Sequence, residues 1–546
     1  MRKRASLFIV VCMQLLVLSA CSGSKATTQT ADKPVEIHIF AQQDAAQDLR
    51  GNDFSKLLEH KFNVKFDWNT IPYDGAKEKR QISLASGNYA DTYILTEYID
   101  QFSQADVLRY GKKGVFIPLN DLIARYAPHI QAAFKKDPKL KAINTAADGH
   151  IYGLTAYSEC FHCSYPNKMW INTEWLKKLK LTMPQTTGDF KKVLQAFKNQ
   201  DPNGNGLADE VPLSGSTEDY GVHLIPYLMN GFIYDDDDRY LVINQGKVEL
   251  AANKPEWKEG LAYIKSLYDE QLIDPGAFVQ NADVFKKIGE NADAEILGAG
   301  AAMHPEIFVN TGPGNERGSH YNPVPPLRGP HAAYALHKEI GVMPGAKFVI
   351  TDKASPEAQA ALIKMVDYMY TPQGQVLAEV GKEGVAWRKP VKGEEALNKE
   401  VAPAFTSIPA KEGDTLGSTG WSGMGHFYMP KAYRDSWVQS TDIYSPGGYE
   451  RRLYDATLLY AGKEPKEMFP TWVNWIDKSK ADEANMLQTN IKNYVNQNAL
   501  QFITGNKDLN KDWDAYIKGL NELQVNRYVA IMQKAYNATM SNKAWP

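Results

Sequence analysis

Apolar and polar residues alternate in Val35-Glu36-Ile37-His38-Ile39-Phe40, and again at Val64, Phe66 and Trp68. That is the period of a strand with one buried face. Between the two lies an amphipathic, helix-like segment from Phe54 to His60. Lys77 to Ala85 reads as a further helix, broken by Gly87, and Asp91-Thr92-Tyr93-Ile94-Leu95 reads as a buried strand end. Strands alternating with helices predict α/β construction and a largely parallel sheet. Ligands of such sheets bind beyond the carboxyl ends of the strands, where Thr96, Glu97 and Tyr98 stand.

Further along, Phe190, Val193, Leu194 and Phe197 follow the helical period, so the spacing predicts a helix over Pro184 to Lys198. Val242 to Leu250 is strand-like with a Gln245-Gly246 turn, which predicts a hairpin. Ser355-Pro356-Glu357 combines an N-cap, a first-turn proline and an acid at the positive helix end. Ala358, Ala361, Leu362, Met365, Val366 and Met369 then form one apolar stripe, and Thr371-Pro372 repeats the start signal. The last third is mainly helical, with a loop rich in Gly and aromatics from Gly417 to Met429. There is no fixed-period repeat.

A chain of 546 residues exceeds one hydrophobic core and implies two or more lobes. The net charge of -3 carries no basic excess, so nucleic acid is not an expected partner. The 11 Trp and 29 Tyr serve core packing in the main, and each is either a packed ring or a platform for a ligand.

Arg2, Lys3 and Arg4 precede an apolar run from Leu7 to Leu18 broken only by Gln14. The run is too short to span a bilayer and suits a signal-peptide core. No later segment is long and apolar enough to cross a membrane. Leu18-Ser19-Ala20-Cys21 resembles a bacterial lipobox, which implies that Cys21 becomes the lipidated first residue of the mature chain. Two acyl chains make a stable anchor where one is marginal. Ser22 to Lys33 is small and polar, and reads as a tether.

Asp201-Pro202-Asn203-Gly204-Asn205-Gly206-Leu207-Ala208-Asp209-Glu210 places oxygen-bearing side chains at places one, three, five, nine and ten. A hard cation such as Ca²⁺ takes six to eight oxygens, and a tight loop offers them at alternate positions. Asp201, Asn203, Asn205, Asp209 and Glu210, with the Leu207 carbonyl, are the candidate ligands of one structural Ca²⁺. Gly206 permits the sharp turn. Pro212 stands where an EF-hand carries a bidentate Glu, so this is not a standard EF-hand and Ca²⁺ switching is not implied. The plainer reading is an Asx- and Gly-rich turn.

Of four Cys, Cys12 belongs to the leader and Cys21 to the lipobox. Cys160-Phe161-His162-Cys163 remains, as a local disulfide or free thiols ahead of catalysis or metal binding.

Several segments resemble extracellular carbohydrate-binding proteins of ABC importers. These are Leu84 to Asp91, Asp148 to Leu154, Trp170 to Leu176, Ser355 to Gln375, and the trio Gly505, Trp513 and Tyr516. The cation loop resembles that of the larger lipoprotein members and the alginate-oligosaccharide binders, which hold Ca²⁺ away from the ligand. The resemblance implies a two-lobed periplasmic-binding-protein fold of type II kind, with a hinge. The implied divisions are 1–20 as signal peptide, 21–34 as lipidated Cys and tether, 35–159 plus 341–384 as the N-terminal lobe, and 160–340 plus 385–546 as the C-terminal lobe. It implies capture of an oligosaccharide without turnover, by a monomer lipid-anchored at the extracellular face of the bacterial cell membrane, for delivery to permease subunits.

Matching segments put Glu97, Tyr98, Tyr157, Glu159, His304, Trp387 and Trp421 at the cleft. Trp387 and Trp421 are the sugar-platform candidates; Trp175 and Trp513 are core candidates. The rival readings are a secreted carbohydrate-active enzyme with a carboxylate pair, a sensor subunit, and a binder of peptides or other solutes on the same fold.

Overall fold

A computed structural model describes residues 33–43, 47–146, 148–338, 344–408, 419–470 and 478–541. The leader, Cys21 and most of the tether lie outside the described residues, as does the expected boundary at Ile340 and Gly341. Contacts divide the chain into Met1–Pro34 and Val35–Pro546, and the fold is that of the second unit.

The alternating N-terminal segments form β1 (Val35–Gln43) and β2 (Val64–Pro72), parallel and in register from Val35 against Val64 to Gln43 against Pro72. β3 (Thr92–Ile94) runs parallel on the other side of β1, and Phe348–Ile350 closes the sheet antiparallel to β3. Helix Asp53–Phe62 starts where the Asn52 side chain accepts from Phe54 and Ser55 N–H, and it buries Phe54 and Leu58. Helix Pro356–Met369 starts on the Ser355 hydroxyl and turns its apolar stripe inward. Its Asp367 accepts the His129 and Ile130 N–H groups and so caps helix Pro128–Lys136. Ile37, Ile39, Phe54, Leu58, Ile94, Phe348 and Leu362 lie in one core.

The second sheet is built differently. Lys168–Asn172 is its centre, antiparallel to both Ala299–Ala302 and Tyr321–Val324. Val211 and Ser214 bridge Leu297 and Gly300 in parallel. The largely parallel expectation therefore describes the first sheet only. Leu241–Asn244 and Lys247–Leu250 form the expected hairpin. The second core joins Trp175, Phe190, Phe197, Trp257 and Ile264 to the C-terminal helices through Ile491, Phe502, Tyr516 and Tyr528.

Among the described residues, core membership switches between the two cores three times. Leu154 and Tyr157 belong to the first core and Tyr165 to the second; Ala335 belongs to the second and Phe348 to the first. A last passage runs from Phe427, in the first core, to Leu453 beside the second sheet. The crossings are tied together. Leu154 exchanges backbone hydrogen bonds with Phe348, Tyr157–Ser158 pairs in parallel with Tyr428–Met429, and Lys338 N–H donates to Ser164 O. Residues 421–429, which follow the expected lobe boundary at 384, pack through Trp421, Met424 and Phe427 with the first core. Among the described residues, no helix is long and apolar enough to cross a membrane.

Candidate ligand-binding site

The cation loop follows helix Thr187–Asn199 directly. Asp201 Oδ1 accepts from Gly204 and Asn205 N–H at 2.8 and 3.2 Å, and Oδ2 from Gly206 N–H at 3.0 Å. Asn203 and Asn205 each donate their amide to Asp209, both at 2.9 Å. Gly204 and Gly206 both take φ of +77°, which L side chains rarely adopt. Glu210 Oε1 is buried without a hydrogen-bond partner. Burial first, then the charges of Asp201 and Asp209, push the Glu210 carboxyl up from its ordinary value. The donor set is all oxygen, and Glu210, with its orphaned oxygen, lies within the influence of the Asp201 and Asp209 charges. These are the donor types that a hard divalent cation takes.

The residues at the end of β3 behave unlike one another. Glu97 is buried, with Oε2 2.8 Å from Lys347 Nζ and Oε1 3.6 Å from His426 Nδ1. Burial would raise its carboxyl, but the Lys347 ammonium and His426 outweigh that and hold it down to about 2. Lys347 also donates to the Gly423 and His426 carbonyls. Glu97 therefore ties two crossings to the sheet, with both oxygens engaged by protein. Tyr98 is 56% exposed and its ring lies over Gly423, where a Cβ would come within 2.1 Å of the phenol oxygen.

Tyr157 is buried at the crossing and stacks on Tyr428, which stacks in turn on Tyr370 at 5.1 Å. Burial and the nearby Glu159 push the Tyr157 phenol up. Glu159 Oε2 accepts the Lys431 N–H at 2.6 Å. His304 is half-buried and its Nδ1 lies 3.0 Å from the Tyr449 hydroxyl. Burial lowers His304, against the charges of Glu306 and Asp219.

Of the platform candidates, Trp421 is a packed ring, whereas Trp387 lines a cavity of about 580 Å³ with Tyr370, Phe405, Tyr428 and Tyr433. Trp421 is fully buried, edge-on to Phe54 and Trp68, with Nε1 donating to Ser55 Oγ at 2.9 Å. It presents no face to a ligand, because its loop is short of local partners but its distant ones enclose it. Trp387 packs against Phe405 and donates to the Gly381 carbonyl.

Cys160 and Cys163 form a disulfide in the first crossing. The buried His162 between them lies 3.3 Å from Glu450 Oε2. Beneath it, Lys168 is fully buried and donates to the His162 and Tyr165 carbonyls. Burial pushes this lysine down to about 7. Lys347, Tyr449 and Glu450 escaped sequence reading because their partners are distant in the chain, and Lys168 because its near partners are backbone carbonyls that carry no sequence signal.

The chain matches the bacterial extracellular solute-binding proteins over residues 41–376. It is 30% identical over 569 residues to the fructooligosaccharide ABC transporter substrate-binding protein FusA of Streptococcus pneumoniae serotype 4, covering 98% of each chain. The chain belongs to the bacterial extracellular solute-binding proteins. Its two cores and tied crossings are the two-lobed substrate-binding fold of that family. FusA solved in complex with kestose superposes at TM-score 0.71 and 26% identity, covering 93% of this chain and 100% of that one. Another FusA structure is described as an EF-hand mutant in complex with fructo-nystose. A solute-binding protein of Bifidobacterium longum subsp. infantis shares the fold at TM-score 0.75 and 22% identity, covering 93% and 99%.

Proposed function

We propose that this protein is the substrate-binding lipoprotein of an ABC importer, and that it takes an oligosaccharide between its lobes and hands it on uncleaved. The observation that carries the reading is the 30% identity along nearly the whole length to a fructooligosaccharide-binding relative. Short fructooligosaccharides are accordingly the first ligands to test. Residues 35–159 with 341–384 and the 421–429 segment make up one lobe, and the rest of the mature chain the other. Tyr98 from the first lobe and His304 with Tyr449 from the second face the sugar. Tyr157 and Glu159 shape the hinge, while Glu97, Trp387 and Trp421 hold structure. A ligand that touches both lobes favours the closed form by its differential affinity, and that form is what the permease subunits meet.

In this reading Asp201, Asn203, Asn205, Asp209, Glu210 and the Leu207 carbonyl hold one Ca²⁺, which clips the end of helix Thr187–Asn199 to the following segment. The orphaned Glu210 oxygen supports the assignment. Cys21 carries the lipid that keeps the protein at the outer face of the cell membrane, and Cys21→Ser releases it.

Calorimetry with kestose tests the reading. Saturable binding with no free fructose formed is the expected result, and His304→Ala should weaken it about tenfold, or ~1.4 kcal/mol. Cleavage of kestose overturns the binding-protein reading. No binding across an oligosaccharide panel overturns the carbohydrate assignment. Chelation should lower the melting temperature and Ca²⁺ restore it, since a ligand of the native state alone stabilises it. An unchanged melting curve, with no metal found by elemental analysis, removes the cation.

A further inference from the structure

The second lobe holds a half-open cavity of about 440 Å³, lined among others by Ser216, Thr217, Asp235, Tyr240, Trp257 and Phe278. That is the size of a small-molecule pocket. Its lining shares no residue with the cleft assigned above. Two groups in its wall lack what burial demands. Asp235 is 1% exposed; its Oδ1 accepts the Asp237 N–H at 2.9 Å, and among the described residues no cation pairs with its carboxylate. Trp257 is also 1% exposed, and its indole N–H has no acceptor.

The surrounding charges do not supply the missing counter-ion. Asp237 is taken by His223 at 2.8 Å. Asp236 accepts the backbone N–H groups of Asp238, Arg239 and Tyr240. Lys492 is engaged by Asp238 at 3.0 Å, and Arg239 lies over the Phe469 ring. A buried carboxylate with one N–H and no counter-ion is costly, and so is a buried donor without an acceptor. Water can accept from the indole, but it brings no charge to Asp235. Burial pushes the Asp235 carboxyl well up, as expected of an acid that lacks its cation.

We infer that this cavity is a second ligand site, which takes a small hydroxylated amine of the amino-sugar class. The ammonium pairs with Asp235, a ring hydroxyl accepts from Trp257, and the aromatic walls receive the ring and its charge. The four consecutive acids Asp235 to Asp238 exclude an anion. The Tyr240 hydroxyl already donates to Asn496 Oδ1, which leaves the Asn496 amide N–H groups as further donors at the wall.

The test is calorimetry on the whole protein with three probes of nearly one shape: D-glucosamine, D-glucose and N-acetyl-D-glucosamine. Glucosamine alone should bind, and Asp235→Asn should weaken it at least tenfold while kestose titrates as before. Equal binding of the three sugars overturns the inference, because the cavity then reads hydroxyls and not charge. Failure of glucosamine to bind overturns it too, as does affinity that survives Asp235→Asn, which places the amine elsewhere. Should Asp235→Asn not fold, the wild-type protein still decides. The indole N–H resonance that disappears in Trp257→Phe should move during a glucosamine titration and stay in place with glucose. A resonance that ignores glucosamine leaves the cavity to water.

Discussion

Two buried lysines stand at the passages between the lobes, in opposite surroundings. Lys347 meets a carboxylate, Glu97, at 2.8 Å, with two carbonyls completing its shell. Lys168 meets the His162 and Tyr165 carbonyls, and no carboxylate pairs with it among the described residues. Both are fully buried. The difference shows in the charge each can keep. Burial pushes Lys347 down as well, but Glu97 pulls it back up, and Glu97 itself is held down to about 2. The second lysine, pushed down to about 7 by burial, sits near the point of losing its proton at neutral pH. Burial disfavours both charges, but at one passage a carboxylate opposes it and at the other, among the described residues, none does.

Removing the carboxylate should have the largest effect. Glu97→Gln leaves Lys347 buried without a counter-ion, and should cost about 3–5 kcal/mol of stability in denaturant titrations. The wild-type protein should also lose this contribution on acidification. Glu97 is depressed from 4.5 to about 2, so its share is complete above the upper value and lost as pH falls through the lower one. Glu97→Gln should flatten that part of the acid profile, and an unchanged profile would sink the assignment.

Lys168 should give the opposite signature on the alkaline side. Between about 7 and 10.5 the unfolded chain holds a proton that the folded one has shed. This group therefore makes stability rise with pH across that window. Lys168→Met should abolish the rise while changing stability at neutral pH by only about 1–2 kcal/mol, since two carbonyls lose a donor as a buried amine is removed. If both variants show the same pH profile as wild type, the contrast between the passages is unfounded.

The smallest effect belongs to the Cys160–Cys163 disulfide, which encloses the His162 carbonyl that Lys168 uses. With a sequence separation of only 3, the closed loop is very short. Reduction should cost no more than about 2 kcal/mol by the chain-entropy argument, and it should narrow the alkaline rise by loosening one acceptor.

Much of the first lobe was legible because its signals are local. Alternation in β1 and β2, the stripe behind Ser355 and the Gly87 break all act over a few residues, and the structure has them at those places. The antiparallel second sheet was not legible, since strand direction there depends on partners more than 100 residues apart. The burial of Trp421 was hidden for the same reason. Trp421 sits among glycines, and its true neighbours, Ser55, Phe54 and Trp68, are over 350 residues earlier in the chain. Glu97 was rightly placed at a strand end, but the lysine that occupies it lies 250 residues away. The oxygen-rich stretch from Asp201 to Glu210 was legible because ten consecutive residues carry it.

The triple passage between the cores also bears on how the molecule can be taken apart. No single cut of the chain separates the lobes, because at every crossing at least one core gathers stretches from both sides. A protease that nicks the segment between Tyr157 and Tyr165 leaves two fragments still held by the other passages and by the shared interiors. Expression of either lobe as one uninterrupted piece of the gene would yield half a core. A working split version would have to be two interleaved fragments that find each other, and recovery of sugar binding on mixing them would report the joining of both lobes at once.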